Sequence, residues 1–62
     1  MNGCRVHLLI SVQDLILLVY YSDAWAWQFR VISGSEVFGE RKIYYSAEAA
    51  EKAGRDWISS AG

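Results

Sequence analysis

The chain has 62 residues, enough for a single domain, and its 6 Lys+Arg against 7 Asp+Glu give a net charge of −1. At 53% hydrophobic and 15% aromatic it is too apolar for a disordered chain, and its charge is too balanced for bulk attraction to nucleic acid. One cysteine excludes an internal disulfide, a four-cysteine zinc site and a CxxC pair.

Residues 6–21 read VHLLISVQDLILLVYY. A membrane-spanning helix needs about 20 mostly apolar residues in a row. His7, Ser11, Gln13 and Asp14 interrupt this run, so no membrane span is expected. An export signal is the rival reading. Arg5 supplies a positive start, and Ala24-Trp25-Ala26 has the A-x-A form of a cleavage site. Gln13-Asp14 falls in the middle of the apolar stretch such a signal requires, and the expected location is the cytoplasm. The run is apolar on both faces, so periodicity does not separate strands from a helix. Val6, Ile10, Val12, Ile16 and Val19 are β-branched and Tyr20 and Tyr21 are aromatic, which favours two strands around Gln13-Asp14. That pair makes a weak two-residue turn because it lacks glycine. The alternative is a helix from about His7 to Tyr20, with Leu8, Ser11, Leu15 and Leu18 on one side.

The segment 25–32 alternates. Trp25, Trp27, Phe29 and Val31 fall on one face, and Ala26, Gln28, Arg30 and Ile32 on the other. Ser33-Gly34-Ser35-Glu36 is the hairpin loop, with Gly34 free to take a positive φ. The return strand is expected over 37–45, with Gly39 marking a bulge or a close backbone approach. Beyond it, Ile43 and Tyr45 share one face, and Lys42 and Tyr44 the other.

Ser46 caps a helix expected over 47–59, where Glu48 suits the first turn. Ala47, Ala50, Ala53, Gly54, Trp57, Ile58 and Ala61 form one apolar stripe. Glu48–Lys52 and Glu51–Arg55 have the spacing of ion pairs on the other side. The fold class expected is α+β: one 1–62 domain with a small antiparallel sheet of three to four strands and one C-terminal helix packed on one face. Trp27, Phe29, Ile43, Ala50, Ala53 and Trp57 are the expected core.

No constellation of catalytic residues is legible. His7 sits in an apolar strand with no orienting partner, and Cys4 with His7 falls short of the ligands zinc takes. Glu48, Glu51 and Asp56 read as a solvated helix face. The expectation is a protein that is not an enzyme and needs no metal or cofactor. The candidate partner-binding residues are Tyr20, Gln28, Arg30, Lys42 and Tyr44, with the last four expected on the sheet face away from the helix.

Residues 25–58 resemble a known layout. Trp25-Ala26-Trp27 on a strand, a hairpin, a strand ending in aromatics, then Ser46-Ala47-Glu48-Ala49-Ala50 opening a helix is similar to the Apetala-type DNA-binding domain. It is also similar to the arm-binding domains of phage tyrosine integrases and to small phage proteins of the same layout. The resemblance implies a strand–strand–helix fold and, in those families, DNA reading by arginines and tryptophans on the exposed sheet face. Only Arg30 and Lys42 match such positions here.

The leading functional expectation is a protein-binding module that occupies a partner's surface, as small phage or mobile-element regulators and inhibitors of the anti-CRISPR type do. DNA binding through the sheet face is the alternative. One helix covers one sheet face, so the doubly apolar N-terminal strands predict a partner for the other face. A second copy of the chain is expected there, with Leu15, Leu17 and Val19, or their neighbours Ile16 and Leu18, in the interface.

Overall fold

The computed structural model describes residues 4–39 and 41–61. Four antiparallel strands form one open sheet in the order β1-β2-β3-β4: β1 (Arg5–Val12), β2 (Leu15–Asp23), β3 (Ala26–Ser33) and β4 (Glu36–Phe38). A single helix, α1 (Ala47–Ala61), packs on one face of it. The architecture is α+β, and the N-terminal half is a pair of strands rather than a helix.

Two tight turns set the register. Val12 pairs with Leu15, so Gln13 and Asp14 alone make the β1–β2 loop. Both take positive φ, 50° and 68°, the backbone of a type I′ turn whose twist matches its strands. Apolar pairing along β1 and β2 imposes this turn on two residues that do not favour it. Ser33 pairs with Glu36 around Gly34-Ser35, and Gly34 takes φ 61° as its sequence position requires. The β1–β2 ladder slips by one residue between Val6 and Leu8, leaving His7 as the extra residue of a bulge.

Strand β3 starts one residue later than the alternation suggests. Trp25 lies in the turn before it, 71% exposed, where its N–H donates to the Asp23 carboxylate (2.7 Å). Trp27, Phe29 and Val31 do share the helix-facing side. Phe29 and Val31 are fully buried with Leu17, Val19, Ala50 and Ile58. Trp27 is half-buried at the sheet's end, its indole Nε1–H donating to the Ala24 carbonyl (2.9 Å). The Tyr21 ring (4.5 Å) and the His7 ring (5.1 Å) lie against it.

The return strand is shorter than expected. Regular pairing stops at Phe38 and resumes only as an isolated bridge between Trp27 and Tyr44. From Val31–Phe38 to Trp27–Tyr44 the returning chain uses two residues more than β3, and residue 40 lies outside the described part. Ile43, expected in the core, has the parity of Val37, on the side away from the helix, and is 49% exposed.

Helix α1 begins as its sequence dictates. The Ser46 hydroxyl accepts the Ala49 N–H (3.1 Å), and the Ser46 carbonyl accepts the Ala50 N–H (3.2 Å). Ala50, Gly54 and Ile58 are buried against the sheet, and Ala47, Ala53 and Trp57 are half-buried beside them. The Ala61 side chain lies outside the described part. Trp57 stacks on Phe38 at 5.7 Å. On the solvent side Arg55 pairs with Glu51 (3.0 Å) as expected, while Lys52 turns forward to Asp56 (3.0 Å) instead of back to Glu48.

Candidate protein-binding face

Among the described residues, no element lies over the face of the sheet turned away from α1. The strand pairings arrange its residues in rows that cross the sheet. Ser11, Ile16, Ile32 and Val37 are opposite one another in turn across the four strands. The next row is Leu9, Leu18 and Arg30, and the third is Val6, Tyr20 and Gln28. Val6 is 62% exposed, Leu9 60% and Val37 62%, although all are aliphatic. Strand spacing of ~4.8 Å and a rise of ~3.3 Å per residue give this outer face about 400 Å². Its apolar part, interrupted by Ser11, Gln28 and Arg30, is of the size of the largest patch on a monomer, which is often functional.

Arg30 is the cation of this face. Its guanidinium carbon lies 5.5 Å from the Tyr20 ring centroid, and its Nη1–H donates to the Phe29 carbonyl (2.8 Å). Gly39 makes room for it. A Cβ at Gly39 would lie 2.9 Å from both the Arg30 Cδ and the Phe29 carbonyl oxygen. The close approach read from Gly39 in the sequence is therefore the one that lets Arg30 lie along the sheet.

Of the expected partner-binding residues, Tyr20, Gln28 and Arg30 are neighbours on the outer face. Lys42 and Tyr44 are not there. The excursion after Phe38 brings Tyr44 back opposite Trp27 on the helix side, with its ring 6.3 Å from Phe29 and the Lys42 ammonium 5.3 Å from that ring. These two residues line a shallow groove of about 450 Å³ with Ala53, Asp56, Trp57 and Ser60. Leu17 and Val19 also fall out of the expected interface, because both are sealed under α1. Leu15 shares their side of the strand and packs against the core. Ile16 and Leu18 alone of that group reach the outer face.

Val6, Leu9, Ile32 and Val37 belong to the face but are missing from the residues picked out by sequence. The bulge at His7 shifts the phase of β1, which hides the sidedness of Val6 and Leu9. Val37 was legible in principle: a two-residue hairpin loop forces it opposite Ile32.

Among the described residues, no group of three or more His, Cys, Asp or Glu side chains is placed to hold a metal ion. No described helix is long and apolar enough to cross a membrane. No protein-family model, curated protein or solved structure matches the chain. Its class is therefore defined by fold and surface alone: a four-stranded α+β domain with one face closed by a helix and an apolar face left open.

Proposed function

We propose that this chain is a non-enzymatic protein-binding module that acts by occupying a partner's surface through the outer face of its sheet. The observation that carries this reading is the row Ile16–Ile32–Val37 with Leu9, Leu18 and Val6 beside it, aliphatic side chains that no described element covers. By analogy alone, the role is that of a small regulator or inhibitor of phage or mobile-element origin. The cytoplasm suits such a role, since the exposed free thiol of Cys4 stays reduced there.

A DNA-binding reading draws on Gln28 and Arg30, side-chain types that read bases, lying together on the outer face. It is the weaker of the two. Arg30 is the single cation in the three rows, and Lys42 sits on the helix side. Duplex binding at moderate salt takes several phosphate contacts.

Thiol footprinting tests the proposal. In a Cys4→Ser background, Val37→Cys labels slowly in producing cells, whereas Ser59→Cys on the exposed helix side labels freely. Equal labelling at both positions contradicts the proposal. So does tight binding to mixed duplex DNA that weakens steeply with salt.

A further inference from the structure

We propose that the occupant of the outer face is a second copy of this chain, packed face to face as a homodimer. The inference rests on the reading of that face as a protein-binding surface and names its partner.

The chain's core is small. Among the described residues the fully buried hydrophobic side chains are Leu17, Val19, Phe29, Val31, Ala50 and Ile58, and the others packed against them are only partly buried. A domain of this size usually adds a disulfide, a metal or oligomerisation. The chain has one cysteine, and its described residues offer no metal-holding cluster. Oligomerisation is the remaining device, and a second copy is the one partner present wherever the chain is made.

Area limits the strength. Two faces of about 400 Å² each come to about 800 Å², below the ~1,000 Å² of a stable contact and at the size of a transient one. The dimer is accordingly weak, with Kd of ~10 µM.

Charge allows the pairing. A two-fold axis between β2 and β3 and parallel to them lays β2 of one copy over β3 of the other. Because Ile16 is opposite Ile32 and Leu18 opposite Arg30 within the sheet, this symmetry sets Ile16 over Ile32 and Arg30 over Leu18. The two guanidiniums do not meet head-on, and each already lies along its own sheet over Tyr20.

Sedimentation of the full chain from about 1 to 200 µM, spanning the expected Kd, tests this. The wild type converts from monomer to dimer mass over that range. Val37→Lys and Leu9→Lys, both at exposed positions, keep their far-UV circular dichroism and weaken association by about 100-fold. Ser59→Lys leaves it unchanged. A wild type that stays monomeric at the top of the range overturns the proposal, as does a dimer that survives both outer-face lysines. A monomer whose Val37→Cys thiol is still shielded in cells overturns the second copy as occupant but leaves a protein-binding face. A monomer with that thiol freely labelled overturns both readings.

Discussion

Gly54 and Leu17 meet where the helix lies closest to the sheet. A Cβ on Gly54 would overlap the Leu17 Cδ1 and come within 3.3 Å of the Phe29 ring. Glycine inside a helix normally costs about 1 kcal/mol relative to alanine. Here the cost is offset by contact: without it the helix would ride higher, and the fully buried Leu17, Phe29 and Ile58 would lose their closure.

Gly54→Ala is therefore expected to destabilise the protein despite its better helix propensity. Overpacking of about 1–3 kcal/mol outweighs the gain and leaves a net loss of about 1 kcal/mol. Leu17→Val removes the Cδ atoms and relieves the overlap. A double-mutant cycle by urea denaturation should show a coupling of about 1 kcal/mol between the two sites. Additive behaviour would contradict the close approach.

The strand order, the helix and its cap were legible because each rests on local chemistry. Alternation over 26–32 fixed the two sides of β3, and Ser46 before an alanine-rich stripe fixed the helix start. What sequence could not supply was non-local. Lys42 and Tyr44 share the parity of Phe38, which stacks on Trp57 of the helix. Two extra residues make one full strand period, so both stay on the helix side. A one-residue bulge at Gly39 would have turned them outward, and no local pattern tells the two cases apart. Ile43, of the opposite parity, is therefore half in solvent. Leu17 and Val19 could not be told from Ile16 and Leu18, since β2 is apolar on both sides and only the helix decides which side closes.

The β1–β2 turn carries removable strain. Gln13 and Asp14 both sit at positive φ, where an L-residue costs about 1–2 kcal/mol and asparagine or glycine costs less. Gln13→Asn combined with Asp14→Gly is expected to raise stability by about 1 kcal/mol. The urea midpoint should rise with an unchanged slope. A lower midpoint would mean the turn is not of this type.

Ser46→Ala removes the hydroxyl that accepts the Ala49 N–H and should cost about 1 kcal/mol. Ser46→Asp keeps an acceptor at the helix's positive end and should retain most of the stability. Thermal melts of the two variants provide the comparison.

Trp57 and Ile43 give a paired test of the packing. Trp57 stacks on Phe38 and closes the edge of the core, so Trp57→Ala should cost about 3 kcal/mol. Ile43, largely in solvent, should lose under about 0.5 kcal/mol as alanine. Equal losses at the two positions would place Ile43 against the core instead of in solvent.

The proposed division of the sheet, one face for the fold and the other for a partner, is read by a photo-crosslinking scan, with a benzophenone side chain placed in turn at Val6, Leu9, Val37, Lys52 and Ser59 in producing cells. Protein adducts with the mass of two chains are expected from Val6, Leu9 and Val37, and none from Lys52 or Ser59. Adducts confined to the helix positions, or no protein adduct from the outer face, would contradict it.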